Sequence, residues 1–249
     1  MQIVKKQGVS MKKIIIYDFD GTLTPYPMPK LEILEKCGIV GGATNPNFIS
    51  LAMKKSKEDN ISLYEAFYSV AFATMQENEK EVTDDTISLG ADNLVYNKGV
   101  VEFLETLTEK KIDNYVVSSG MKPYLEHTKV AKYFKDIYAT TFTYDKENKI
   151  NGIDFLMTDQ NKEMTIKTIL KANNIEEDNC KDLIYIGDGL SDYYAMKYVK
   201  EHGGITILVY LDNNQKEVMT MKEKQIVTKA VKADFSKDSD LYNEIVKKL

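Results

Sequence analysis

The chain has 249 residues, 43% of them hydrophobic, which is enough to bury a full core as one large domain or a domain carrying an insert and excludes a disordered or fibrous chain. Its net charge of −5, with lysines scattered among acidic residues, leaves no basic face to neutralise a phosphate backbone, so DNA and RNA are not expected partners. The two cysteines, Cys37 and Cys180, lie far apart without a Cys or His at ligand spacing, the stretch Met1 to Ser10 lacks the apolar run of a signal peptide, and no apolar segment reaches the length of a membrane span, so the expectation is a soluble protein of the reducing cytoplasm.

Ile14-Ile15-Ile16-Tyr17 is a short β-branched and aromatic run that ends in Asp-Phe-Asp-Gly-Thr, the pattern of a buried parallel strand emptying into a loop. From Pro25 to about Tyr96 no strand-like run occurs and helical spacing dominates, as in Leu63, Phe67, Val70, Ala71 and Met75, which predicts a helical insert. Pro25, Pro27 and Pro29 stiffen its start. Beyond it, Asn97 to Lys111 is helical and Asn114 to Gly120 a strand. Pro123 to Phe134 has helical spacing. Ile137 to Tyr144 and Ile150 to Met157 are strands around the polar turn Asp145 to Asn148, and Lys162 to Asn174 is helical. Strands at Leu183 to Ile186, Ile205 to Val209 and Val231 to Ala233 alternate with helices at Ser191 to Glu201, Asn213 to Thr228 and Asp238 to Leu249. Such alternation predicts a doubly wound α/β domain with a parallel sheet, formed by residues 1–24 and 97–249, with residues 25–96 as the insert.

Four short signals stand at strand ends or helix starts: Asp18-Phe19-Asp20-Gly21-Thr22, Ser118-Ser119-Gly120, Lys162, and Gly187-Asp188-Gly189-Leu190-Ser191-Asp192. In extended chain, residues i and i+2 share a side, so Asp18 and Asp20 can face one cavity while Phe19 turns to the core. An ionised Asp18 can attack phosphorus directly, and Asp20, its pKa raised by crowding, can give and take the proton. The same pattern also fits a turn whose aspartates cap backbone groups. Asp188, with the Asp18 carboxylate and the Asp20 carbonyl, offers the hard oxygens that suit Mg²⁺, and Asp192 stands one shell out or caps the following helix. Ser118, the Ser119 and Gly120 amides and the Lys162 ammonium supply donors and a charge for phosphoryl oxygens.

The order and wording of these signals resemble the haloacid dehalogenase-like hydrolases, and more narrowly their phosphoserine-phosphatase-like branch. The resemblance implies a Rossmann-like core with the first strand central, a helical cap inserted after the first motif, Mg²⁺, and hydrolysis of a small phosphorylated metabolite. Carried over residue by residue, it makes Asp18 the nucleophile, Asp20 the general acid and base, Ser118 and Lys162 the phosphate ligands and Asp188 a metal ligand. Ser119 departs from the usual Gly of the phosphoserine enzymes and Ser191 from a common Asn. All 33 basic residues are lysine, so the arginine with which those enzymes grip the substrate carboxylate is absent, and Lys54 or Lys55 would be a less directional substitute. Asp20 speaks against a haloalkanoate dehalogenase, which has no leaving alkoxide to protonate. A phosphoryl-transferring mutase or phosphotransferase is the nearest alternative, and a non-catalytic metal-binding relative is the reading from a different class. Tyr64, Phe67, Tyr68 and Phe72 form an aromatic stripe suited to the cap's own core or, less often for such spacing, to the floor of a substrate pocket; Tyr26, close to the nucleophile loop, is a candidate substrate contact, and His127 and His202 are assigned no role.

Overall fold

The structure, a computed structural model, describes residues 13–26, 31–211 and 215–246. Met1 to Ser10, Pro27, Pro29, Asn213 and the last three residues of the C-terminal helical stretch lie outside the described residues. Seven strands are present among the described residues: β1 (Ile14–Tyr17), β2 (Asp113–Met121), β3 (Asp136–Tyr144), β4 (Ile150–Phe155), β5 (Leu183–Gly187), β6 (Ile205–Tyr210) and β7 (Lys229–Lys232). They form one sheet in the order β4-β3-β2-β1-β5-β6-β7. β1 is parallel to both neighbours, Ile16 standing opposite Tyr115 on one side and Tyr185 on the other.

Ten helices accompany the strands among the described residues. Four lie between β1 and Asn97 as a group without a strand: α1 (Glu32–Lys36), α2 (Pro46–Asp59), α3 (Leu63–Glu77) and α4 (Asp84–Ile87). The others are α5 (Val100–Glu109), α6 (Lys122–Glu126), α7 (Lys162–Ala172), α8 (Tyr193–Glu201), α9 (Gln215–Glu223) and α10 (Asp240–Val246). The period-2 alternation of β1 divides them between two layers. Ile14 and Ile16 pack with Ile166 and Ile169 of α7, Met196 and Val199 of α8 and Met221 of α9. Ile15 and Tyr17 join Phe103 and Leu107 of α5 and Leu241 of α10. With helices on both faces, every residue of β1 is buried, which is why the strand is a continuous apolar run.

Capping chemistry fixes the helical segment. The Asn45 side chain accepts from the Asn47 and Phe48 amides at 2.9 and 3.3 Å, with Pro46 opening α2. Ser62 accepts from the Glu65 amide at 3.1 Å and starts α3. The segment rests on the β3–β4 hairpin: Tyr68 and Phe72 meet Phe142 edge-on at 5.8 and 5.4 Å, and the Ile150 amide donates to the Val82 carbonyl at 2.7 Å.

Several elements differ from expectation. β4 runs antiparallel to β3, so the parallel sheet carries one antiparallel edge; a five-residue return allows only a hairpin, since a parallel return needs a dozen or more residues. The helix expected over Pro123 to Phe134 stops at Glu126, where the Thr128 hydroxyl donates to the Leu125 carbonyl at 2.7 Å, and a separate 3₁₀ turn covers Ala131–Tyr133. α9 ends early, with Gln225 left-handed at φ 57°. β7 is the strand Lys229–Lys232, shifted from Val231 to Ala233, because pairing of Lys229 with Ile207 and Lys232 with Tyr210 sets an edge strand on which only Val231 is buried. β2 does not stop at Gly120: Val117 pairs with Tyr138 and Met121 with Thr140, so Ser118, Ser119 and Gly120 bulge opposite the single residue Ala139.

Candidate active site

The carboxyl ends of β1, β2 and β5 converge where the strand order reverses about β1, the position at which open α/β sheets form a crevice. Asp18 follows β1 directly, its amide donating to the Ile186 carbonyl of β5 at 2.9 Å. Phe19 is fully buried in the core, while Asp18 and Asp20 line one polar cavity of about 210 Å³ together with Ser118, Ser119, Gly120 and Asp188. The loop is held by Asn97, whose side-chain amide donates to the Thr22 and Thr24 carbonyls at 2.8 and 3.1 Å. Asn97 thus pins the point where the chain leaves the sheet to the point where it returns, a link that the sequence offers only as a polar residue ahead of a helix.

Lys162 is the first residue of α7, and because helical side chains lean towards the N-terminus it reaches back over the strand ends. Its ammonium is fully buried, 2.8 Å from Asp192 Oδ1 and 3.3 Å from Asp18 Oδ1. Burial opposes its charge, but Asp18 and Asp192 outweigh that and hold its pKa above the ordinary lysine value. The loop ahead of it is set by Asn161, which accepts from the Thr158 amide at 2.7 Å and donates to the Leu156 carbonyl at 2.8 Å.

Asp188 follows β5, and Thr22 donates to its Oδ1 at 3.5 Å. Ligand oxygens of Asp18, Asp188 and Asp192 lie within 4.8 Å of one another, an all-oxygen cluster able to hold a hard divalent cation. The three carboxylates are not equivalent. Both oxygens of Asp192 are engaged: Oδ1 accepts from Lys162 and from the Tyr185 hydroxyl at 2.7 Å, and Oδ2 from the Asp188 and Gly189 amides at 3.0 and 3.4 Å. Asp192 therefore positions Lys162 and the β5 loop, and the oxygens that face the cavity are those of Asp18 and Asp188. Two glycines allow this closeness. A Cβ on Gly187 would stand 2.2 Å from Asp192 Oδ2, and one on Gly21, whose φ is +78°, 2.3 Å from Asp188 Oδ2.

Burial raises the Asp18 pKa to about 7, with Lys162 pulling it down and Asp192 pushing it up. Burial and then the neighbouring Asp18 charge raise Asp20 well above the usual carboxylate range. In the bulge, the Gly120 amide donates to Ser118 Oγ at 3.1 Å, which leaves the Ser118 proton available to another acceptor. Tyr68 donates to the Ser119 carbonyl and Tyr64 to Asp159 Oδ1, so α3 meets both the β2 bulge and the loop after β4.

The aromatic stripe of α3 does not serve its own helices alone: Phe67 packs on Phe48 at 5.3 Å, but Tyr64, Phe67 and Tyr68 also wall a second cavity that opens on Asp20. Tyr26 lines a third hollow, again reaching Asp20, beside Glu32 and Glu35. Lys54 and Lys55 line none of the three cavities that reach Asp20. They lie on a hollow between the outer faces of α2 and α3, within 3.7 and 2.7 Å of Glu58 and Asp59, and are no substitute for a guanidinium at the site. The Nδ1 atoms of His127 and His202 donate to the Pro123 and Tyr198 carbonyls four residues back, both at 2.7 Å. Cys37 and Cys180 are free. No helix among the described residues is long and apolar enough to cross a membrane.

A Borreliella burgdorferi protein described as uncharacterized is 24% identical over 279 aligned positions, which cover 94% of this chain and 95% of its own. A HAD family hydrolase from Salmonella enterica serovar Typhi superposes with a TM-score of 0.61 at 17% identity, covering 91% of this chain and 72% of that one. A phospho-aspartyl intermediate analogue of a phosphoserine phosphatase gives 0.61 at 18% identity over 96% and 99% of the two chains. A substrate-bound phosphoserine phosphatase gives 0.62 at 17% over 96% and 98%. At such identities the structural likeness is one of fold. Residues 15–197, a span that holds all four sequence signals, match the haloacid dehalogenase-like hydrolase family, and the chain belongs to it.

Proposed function

We propose that this protein is a Mg²⁺-dependent phosphatase that hydrolyses a small phosphomonoester through a phosphoryl group carried on Asp18. The observation that carries this reading is the convergence on one cavity of Asp18, paired with the buried Lys162 at 3.3 Å, and Asp20, whose pKa is raised. In this reading residues 1–24 and 97–249 are the catalytic core and residues 25–96 the cap.

An Asp18 carboxylate oxygen attacks phosphorus, the phosphorus–oxygen ester bond breaks, and Asp20 gives its proton to the departing alkoxide. Water then attacks the phosphorus, Asp20 takes back a proton, and the bond to Asp18 breaks to release inorganic phosphate. Attack requires an ionised Asp18, and Lys162, lowering its pKa, favours that form. Lys162 and the Ser118 hydroxyl receive the non-bridging oxygens, while Asp192 and Tyr185 hold Lys162 in place. Asp18 and Asp188, with the Asp20 carbonyl, would hold Mg²⁺, which when bound neutralises phosphoryl charge and favours the ionised nucleophile.

The test is a panel of phosphate esters assayed with Mg²⁺ and with EDTA, followed by acid quench and mass spectrometry of the protein. Phosphate release with Mg²⁺, loss of release with EDTA and label on Asp18 are the expected results. Label on another side chain, or undiminished turnover under complete chelation, sinks the reading. Turnover of ester that appears only with an added alcohol acceptor assigns the protein to the phosphotransferases instead.

A further inference from the structure

The second cavity, of about 130 Å³, lies between α2, α3 and β2, and it begins where the polar cavity ends, the two sharing Asp20, Tyr64, Ser119 and Gly120. Its walls are Ile49 and Ala52 of α2, Leu63 and Phe67 of α3 and Met121 of β2. No lysine or histidine lies among its lining residues, and the two tyrosine hydroxyls on its wall are already donated to Asp159 and to the Ser119 carbonyl. Asp20 is the one carboxylate among its lining residues, and it is negative when ionised. Leu63 is 49% exposed, an apolar side chain at the start of α3 that keeps solvent access on this flank. The size is close to the roughly 150 Å³ apolar cavity that takes up benzene.

Resting on the phosphatase reading, we propose that this cavity receives the leaving group of the substrate and that the group is uncharged and apolar, a single aromatic ring or a short alkyl chain. Asp20 stands between the two cavities, so an ester oxygen presented to it has phosphorus on the polar side and its organic substituent on the apolar side. A carboxylate in the apolar cavity would meet no cation and would lose its hydration uncompensated. An aryl or alkyl group there gains by burial against Phe67, Ile49 and Met121. The cavity thus selects against phosphoserine and its charged analogues.

The experiment compares kcat/KM for benzyl phosphate, phenyl phosphate, methyl phosphate and O-phospho-L-serine, all with Mg²⁺. Benzyl or phenyl phosphate is expected to exceed O-phospho-L-serine by about tenfold or more. Equal or better use of O-phospho-L-serine overturns the apolar assignment while leaving the phosphatase intact. Hydrolysis of none of the four, when other esters of the panel are turned over, overturns the apolar assignment alone, whereas inertness toward the whole panel defeats the phosphatase reading and the assignment with it. Ala52→Phe, which fills the cavity from the buried face of α2, is expected to lower the benzyl-to-methyl ratio of kcat/KM by about tenfold, and an unchanged ratio in the folded variant also overturns it.

Discussion

Asp192 shows how residue-level chemistry builds the site. It is fully buried and accepts from an ammonium, a phenol and two backbone amides, so its charge is matched inside the protein. Asp192→Asn turns one oxygen into a donor facing another donor, and is expected to cost about 3 kcal/mol in chemical denaturation. Tyr185→Phe removes one of the four donors and is expected to cost about 1 kcal/mol in the same measurement. If the two variants are equally stable, the network does not work as described. The sequence presents Asp192 as a residue four positions beyond Asp188, suited to an N-cap. Its partner Lys162 is thirty residues away and belongs to a different strand-to-helix turn, a pairing that spacing along the chain does not contain. The relation of Asp18 to Asp20 is local, and i and i+2 alternation is enough to place both on the polar cavity. At Asp18 itself, Asp18→Asn is expected to retain the fold and lower kcat by on the order of 10³-fold or more, measured with the best ester of the panel.

Among the elements, those with a buried face were legible and those defined by pairing were not. β1 and β5 are continuous apolar runs because helices cover both sides, and the segment from α1 to α4 lacks strands as its helical spacing indicates. The antiparallel sense of β4 is carried by the short polar turn before it, whereas the bounds of the edge strand β7 follow from its neighbour and the Ser118 to Gly120 bulge exists only as a mismatch between β2 and β3. At helix ends the side-chain caps decide. Ser62→Ala removes the acceptor for the Glu65 amide and is expected to lower stability by about 1 kcal/mol in thermal or denaturant unfolding. Because α3 carries Tyr64 and Tyr68 onto the core, the same variant is a direct probe of how much the start of that helix contributes to closing the site.

At the scale of the whole molecule, the buried carboxylates make stability depend on pH. The unfolded chain releases the Asp18 proton near its ordinary pKa of 3.8, whereas the metal-free folded protein keeps it until about 7. Across that window the folded state binds more protons, so the stability from this group is complete below about 3.8 and is lost as pH rises through 7. Metal-free protein is therefore expected to lose melting temperature between pH 5 and 8 more steeply than Asp18→Asn does, Asp20 contributing a residual slope of the same sign. Mg²⁺ is expected to raise the parent melting temperature most at the alkaline end, where Asp18 is ionised. Identical pH profiles for parent and variant under EDTA would contradict the burial of an ionisable Asp18.

The β3–β4 hairpin has a mechanical corollary. Through Val82, through Asp84, which receives the Tyr144 hydroxyl at 2.8 Å, and through Glu81, 3.1 Å from the Lys149 ammonium, it grips the far end of α3 and its sequel. The near end is fastened by Tyr64 and Tyr68. A cap tethered at two sites does not swing open from its covalent stalks alone; lifting it means unzipping the splint as well.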